Sequence, residues 1–443
     1  MEPNGRPHVR RRKEPIMKIT GIIAEFNPFH NGHAHLLKKA RELTGADLIL
    51  VVMSGDFVQR GTPALLSKYA RAETALLCGA DLVAELPVFC AAASAEYFAE
   101  GAVRLLADLG ADCFVFGCEP EICADFPALA APLADLLLEE PPAYRAALRS
   151  GLSAGLPFPA ARRNAAATLI PEGAGLLDAP NSLLGLEYVK ACRKRELALR
   201  PVAVERIGKG YHETASALRA FLSKMEPEAP ACRYFGPVRE TVPQENAVQV
   251  LEALSGSMPE RALAILKREA FRTFPVTEND LSLLLSFQLL NCSPSDLAGC
   301  ADVGAELAAR LFARRFSCFR TTDLLQSLKT KEVTYTRLSR ALLHIVLQIS
   351  QETQNSFRAL KHSPYTRILG MTEAARPYLK AASLIPVPLI RQPARAEKVL
   401  SGAALDFFRQ DIAAAELYRR LSWERYGVEQ PSEYERRFPV IPL

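Results

Sequence analysis

Two imidazoles three residues apart, His30 and His33, lie in the run Asn27-Pro28-Phe29-His30-Asn31-Gly32-His33 with a glycine between them. Groups three apart at the start of a helix share a face, so both rings can be aimed at the same oxygen atoms, and Gly32 lets a backbone approach a phosphate closely. A helix N-terminus adds free N–H groups and the positive end of a dipole. The combination suits adenylyl or other nucleotidyl transfer, in which catalysis is chiefly stabilisation of charge at phosphorus. Histidines that merely cap a helix are the alternative. A metal site is not expected, because no nearby Cys or carboxylate completes a ligand set. A second polar set follows: Asp56, Gln59, Arg60, Lys68 and Arg71. Lys68 and Arg71, three apart on a helix, would face either one pocket, where they neutralise pyrophosphate or hold a carboxylate, or solvent.

Placing these groups requires strands and helices in alternation. Residues 19–26 are short, apolar and β-branched, and 34–43 put Leu36, Leu37, Ala40 and Leu43 on one helical face. Strands are expected again at 47–53, 81–86 and 113–117, with helices at 64–78 and 94–109 between them. That order predicts an α/β fold, a Rossmann-like doubly wound parallel sheet with right-handed crossovers, in which ligands bind beyond the carboxyl ends of the strands. Residues 124–198 read as helices, broken at Pro157 and Pro159 and restarted after Pro180, and 201–207 would rejoin the sheet. From 245 onward helical periodicity dominates, clearest at 281–290, 305–316 and 336–349. The working division is a basic extension at 1–16, a nucleotidyltransferase-like ATP-binding body at 17–224, a Pro- and Glu-containing linker at 225–244, and an α-helical basic domain at 245–443. The functional start is placed at Met17.

The chain has 443 residues, 49% apolar and 23% charged, which is globular rather than disordered or fibrous. No window approaches 18 consecutive apolar residues, which excludes a membrane-spanning helix. The first 16 residues lack the apolar region of a secretory signal, and ten cysteines without zinc spacing read as reduced thiols, so a cytoplasmic location is expected. Charge is uneven. Residues 1–16 carry +3, residues 17–300 carry −6, and residues 301–443, with 22 basic and 14 acidic groups, carry +8. A basic final third behind an acidic body suggests that one part handles a small substrate while another meets a polyanion, the alternative being an unevenly charged but ordinary solvated surface. Arg314, Arg315, Arg320, Lys329, Lys331, Arg337 and Arg340, with Phe316, Phe319 and Tyr335, mix phosphate-binding charge with stacking surface.

The runs 21–33 (GIIAEFNPFHNGH), 53–61 (MSGDFVQRG), 79–87 (GADLVAELP), 116–119 (FGCE), 180–185 (PNSLLG) and 206–212 (RIGKGYH) closely resemble, in order, the motifs of the tRNA(Met) cytidine acetate ligase family, within the HxGH nucleotidyltransferase-like group. The resemblance covers essentially everything from Met17. It implies an ATP-dependent ligase that activates acetate as acetyl adenylate and acetylates the wobble cytidine of elongator tRNA(Met), with Mg2+ accompanying ATP and neither membrane nor DNA as partner. Residue by residue it places ATP against Ile23, Ala24, Glu25, Phe26, Asn27, Pro28, Phe29, His30, Asn31, Gly32, His33, Ala34, His35 and Leu36, and against Gly117, Asn181 and Arg206; His30 and His33 would be catalytic. Asn181 also reads as a helix cap after Pro180, and Arg206 as a surface ion-pair partner. The family's Ser-Ala-Thr-x-Ile-Arg-like element corresponds here to Thr214-Ala215-Ser216-Ala217-Leu218-Arg219, with Ser and Thr exchanged. The competing readings are another adenylyl- or cytidylyltransferase acting on a small molecule, and a non-catalytic RNA-binding protein that keeps the nucleotide fold.

Overall fold

The computed structural model describes residues 17–207, 218, 219, 222, 251–330, 333–381, 385–437 and 439–442. The extension at 1–16, the linker at 225–244 and residues 214–217 lie outside them. The first half runs β1 (Ile19–Ala24), α1 (Asn31–Thr44), β2 (Leu48–Ser54), β3 (Phe57–Val58), β4 (Thr62–Pro63), α2 (Lys68–Leu77), β5 (Leu82–Leu86), α3 (Val88–Ala91), α4 (Ala95–Asp108) and β6 (Cys113–Cys118). Helices α5 (Pro120–Cys123), α6 (Phe126–Glu139), α7 (Pro142–Ser153), α8 (Phe158–Ala167) and α9 (Pro180–Lys194) lead to β7 (Arg200–Glu205). Pro157 and Pro159 start α8 rather than break a helix, as suits residues whose lost N–H falls in the first turn. After 251 come α10 (Glu260–Glu269), α11 (Ser282–Asn291), α12 (Pro294–Ala298), α13 (Ala305–Arg314), α14 (Thr321–Leu328), α15 (Tyr335–Leu347) and α16 (Gln351–Ala359). The chain closes with β8 (Thr366–Thr372), α17 (Arg376–Lys380), β9 (Leu389–Ile390), α18 (Gly402–Tyr426) and β10 (Val440–Ile441).

The main sheet has the order β10-β8-β5-β2-β1-β6-β7, with β9 beside β8. Neighbours from β5 to β7 are parallel, as the alternation of strands and helices predicts. Both faces are covered. Leu48, Leu50 and Val52 of β2 enter one core while Ile49, Val51 and Met53 enter the other. All six are at most 1% exposed, and burial of such a side chain contributes roughly 1.5–3 kcal/mol. The chain moves from β1 outward to β2 and β5, then returns to β6 on the other side of β1. The order therefore reverses between β1 and β6, which is where an open parallel sheet forms its ligand crevice.

The C-terminal part divides by packing. Helices α11–α15 share a core of their own, with Leu285, Leu307, Leu311, Leu325, Leu338 and Leu342. Strand β8, which sequence periodicity had left inside the helical segment, pairs antiparallel with β5, and Phe407 and Phe408 of α18 join the core of the sheet. The last 80 residues are thus not purely helical: part of them returns to the body.

Candidate active site

The turn between β1 and α1 is built almost entirely from its own side chains. His30 is the N-cap residue of α1, with extended backbone (φ −146, ψ 175), and His33 is three positions on. The His30 Nδ1 accepts the Gly32 N–H at 3.0 Å, and the His33 Nδ1 accepts the His30 N–H at 3.2 Å. Two histidines thus form a reciprocal capping box. Gly32 makes this possible, because a Cβ there would stand 2.8 Å from the His30 Cε1. The rings stack, centroids 3.8 Å apart and planes at 27°. Phe26 and Phe29, 1% and 2% exposed, wall the His33 ring with centroids at 5.0 and 5.5 Å. Phe26 has φ 49, a left-handed conformation that costs a non-glycine residue of order 1–3 kcal/mol and that the packed turn imposes.

One expectation needs correcting. Free backbone N–H groups were anticipated at this helix start, yet every N–H from His30 to Ala34 already has an acceptor: the two Nδ1 atoms, the His30 carbonyl, and, for Asn31, the Ser257 carbonyl at 3.1 Å. The Asn31 Nδ2 also donates to the Gly256 carbonyl at 2.9 Å. What the turn offers a ligand is therefore side-chain chemistry. Because each Nδ1 is an acceptor, each neutral ring must carry its hydrogen on Nε2. Both rings are neutral: burial, then Arg206 and Arg219, lower the His30 pKa to about 4, and burial, then His30 and Arg206, hold His33 well below the ordinary value.

The other expected contacts fall around the same crevice. The Arg206 N–H, just after β7, bonds the Cys118 carbonyl at 3.0 Å, and its side chain lies over Gly117, where an added Cβ would meet the Arg206 Cγ at 3.1 Å. Asn181 is not the cap residue of α9. It occupies the first turn, where its N–H and Nδ2 donate to the Glu119 Oε1 at 3.0 and 2.7 Å, while the Ser182 N–H donates to Oε2 at 2.8 Å. The positive end of α9 is thus already filled by the chain's own carboxylate. Ile23, Ala24 and Glu25 are partly buried; Asn27 and Pro28 are buried; Asn31 is exposed; Gly32, Ala34, His35 and Leu36 are partly exposed. The Asn27 Oδ1 accepts the Leu65 N–H at 2.8 Å, and its carbonyl accepts from Arg219 at 2.7 Å. Burial raises the Glu25 pKa, opposed by the Gln59 N–H and then by Arg219, Arg71 and Arg60.

Lys68 and Arg71 are neither solvated nor free to meet a substrate. Lys68 is 0% exposed, with its Nζ 2.8 Å from the Glu85 Oε1, 3.7 Å from Asp56 and 3.4 Å from Glu433. Arg71, 1% exposed, donates to the carbonyls of Leu66, Glu25, Ser54 and Gly55, tying the ends of β1 and β2 together. Their partners lie on other strands and on the C-terminal segment, so nothing in the local spacing announced them. Among the described residues no group of three or more His, Cys, Asp or Glu could hold a metal ion. A cavity of about 560 Å³ lined by Phe114, Val189, Leu199 and Pro201 opens at the starts of β6 and β7, the end of the sheet away from the histidines.

On the C-terminal helices, Phe316 and Phe319 are 69% and 86% exposed, and the Arg315 guanidinium lies 3.7 Å from the Phe312 centroid and 4.2 Å from that of Phe316. Arg320, Lys329 and Arg337 are exposed, and Lys331 lies outside the described residues. Arg340 is the exception: it is buried, with its Nε 2.9 Å from Asp302. No helix among the described residues is long and apolar enough to cross a membrane.

Comparison with known proteins agrees with this geometry. A family profile described as HIGH Nucleotidyl Transferase matches residues 17–431. A tRNA(Met) cytidine acetate ligase of Acetivibrio thermocellus is 33% identical over 381 residues, covering 84% of this chain and 88% of that protein. One of Caldanaerobacter subterraneus subsp. tengcongensis is 32% identical over 433 residues, covering 96% of this chain and all of that protein. Among solved structures, Thermotoga maritima TmcAL bound with alpha-thio ATP superposes with a TM-score of 0.83 at 28% identity, covering 96% of this chain and 100% of that one. With its paired histidines at the switch point of a parallel sheet and relatives matched over nearly their whole length, the chain belongs to the tRNA(Met) cytidine acetate ligase family of HIGH nucleotidyl transferases.

Proposed function

We propose that the protein joins acetate to ATP as acetyl adenylate, releasing pyrophosphate, and passes the acetyl group to the N4 amine of the wobble cytidine in elongator tRNA(Met). The observation that carries this reading is the pair of neutral imidazoles pinned through Nδ1 and left with two Nε2–H donors beside Arg206. Acetate is ionised at neutral pH and needs no base. One carboxylate oxygen attacks the α-phosphorus and the bond to the bridging oxygen breaks, so the site has only to stabilise the charge that shifts onto phosphate oxygens. Fixed donors do this without reorganising, and neutral rings neither repel Arg206 nor lose a proton. ATP would lie against residues 23–36, Gly117, Asn181 and Arg206, with Phe26 and Phe29 acting by holding His33 rather than by ring contact. Mg2+ would arrive with the nucleotide, its oxygen ligands supplied chiefly by the phosphates.

In the second step the exocyclic amine attacks the acetyl carbonyl, AMP leaves with the electron pair of the broken C–O bond, and the nitrogen gives up one proton to solvent. The basic helical part, with Phe316 and Phe319 presented beside Arg315 and Arg320, supplies the charge and stacking that single-stranded bases and phosphates require. The test is exchange of labelled pyrophosphate into ATP, dependent on acetate, followed by acetyl transfer with and without tRNA(Met). Exchange without acetate dependence would favour a different nucleotidyl transfer; no exchange and retained tRNA binding would favour a non-catalytic RNA-binding protein.

A further inference from the structure

Of the five polar residues at 56–71, the structure commits four to holding the body together. Asp56 accepts the Lys68 N–H at 2.7 Å, Lys68 and Arg71 are buried, and the Gln59 N–H is bonded to Glu25. Arg60 remains. It is exposed and makes no hydrogen bond or ion pair among the described residues. It is nonetheless held at its backbone from both sides. The β3–β4 hairpin pairs Val58 with Thr62, and the Gly61 N–H closes the turn on the Val58 carbonyl at 2.8 Å. On one flank Gln59 is fixed to the end of β1 through Glu25. On the other, Gly61, with φ +78, is pressed beneath α15: a Cβ there would overlap the Arg340 backbone N, and the Ser339 hydroxyl donates to the Gly61 carbonyl at 2.9 Å. A rigid tip thus carries an unengaged guanidinium at the edge of the crevice.

The charges around it define what it would take. Burial raises the Glu25 pKa and Arg60 is among the cations that oppose it, while burial and then Arg60 disfavour the charge of Arg219, whose guanidinium donates to the carbonyl of Asn27, three residues before His30, at 2.7 Å. The imidazoles contribute no positive charge. Arg60, Arg206 and Arg219, with the buried Arg71 behind them, therefore supply the cationic character of the turn, and Glu25 is the one facing acid among the described residues, so the balance of charge there favours an anionic ligand. Acetate, with one charge, is a poor match for several guanidiniums; the polyphosphate tail of a nucleotide is a good one.

We propose that Arg60 is a further catalytic residue, which holds the β- and γ-phosphates of ATP and stays bonded to pyrophosphate as the α-phosphorus bond to the bridging oxygen breaks and its electron pair passes to the departing group. This rests on the reading of the site as an adenylate-forming one. The wild-type protein is measured first: acetate-dependent exchange of labelled pyrophosphate into ATP must be present, and its absence sinks the broader reading and this one with it. With exchange established, Arg60→Ala raises the half-saturating inorganic pyrophosphate concentration and lowers the adenylation rate, each on the order of 10- to 100-fold, leaves the KM for acetate unchanged, and keeps the wild-type melting temperature. Arg60→Lys, which keeps charge but not the fork, recovers part of the loss. Unchanged exchange, a defect confined to the acetate KM, or a defect confined to acetyl transfer onto tRNA each overturns the proposal while leaving adenylate formation itself established.

Discussion

In the proposed reaction the two histidines act as neutral donors, and this has a pH signature. In the unfolded chain His30 would titrate near 6.5, whereas in the folded protein burial and the nearby Arg206 lower its pKa to about 4. Between those values the unfolded state binds the extra proton and the folded state does not. Stability is therefore full above about pH 6.5 and declines as pH falls toward 4, with His33 adding in the same direction. For His30 alone the loss is roughly 3 kcal/mol at its limit. Activity should lack the inflection that a histidine base would give: adenylate formation should show none near 6.5, because both Nε2–H donors persist. Urea midpoints and exchange rates from pH 5 to 8 check both. His33→Ala should lower the adenylation rate on the order of 100- to 1,000-fold. An inflection near 6.5 that disappears in His30→Ala would show a charged imidazole instead.

At the scale of elements, α2 works as a bolt. Lys68, in its first turn, meets Glu85 on β5 and Glu433 near the C-terminus, while Glu433 also pairs with Arg367 on β8. Three distant pieces of chain close on one buried ammonium. Lys68→Met leaves an excess of buried carboxylates, and breaking such a cluster costs about 3–5 kcal/mol. The variant should show a lower urea midpoint but an unchanged ATP KM in whatever fraction folds; a normal midpoint with an ATP defect would return Lys68 to the active site. This residue also shows where sequence reading stops. The β1-turn-α1 unit was legible because strand, glycine, histidines and amphipathic helix are contiguous and fix one another locally. Lys68 and Arg71 were not, because a three-residue spacing gives their common face but not what covers it. Strand β8 escaped for the same reason: its seven buried residues are a strand only because β5, far back in the chain, offers an edge. Asn181 was placed at the right helix, but the carboxylate that engages its amide, Glu119, comes from the end of β6.

For the whole molecule, the question is whether the acidic body and the basic helices divide the two half-reactions. The structure changes how that must be asked. Arg340, on the face of α15 that presses on Gly61, is a structural cation paired with Asp302, so its removal would disturb the packing beside the hairpin as well as the surface. The informative variant replaces the exposed Arg320, Lys329 and Arg337 by Ala and leaves Arg340 in place. Acetyl adenylate synthesis should be spared, acetyl transfer suppressed, and the slope of log tRNA affinity against log salt flattened by up to about 3 units if each side chain holds a phosphate. A second variant, Phe316→Ala with Phe319→Ala, removes stacking without charge. It should weaken tRNA binding by roughly 1–3 kcal/mol per stacked base while leaving the salt slope unchanged. The two effects separate because counterion release depends on charge and stacking does not. Normal acetyl transfer in the triple variant, with the wild-type salt slope, would mean that the positive charge of the C-terminal part is only a solvated surface and that tRNA is gripped by the body itself.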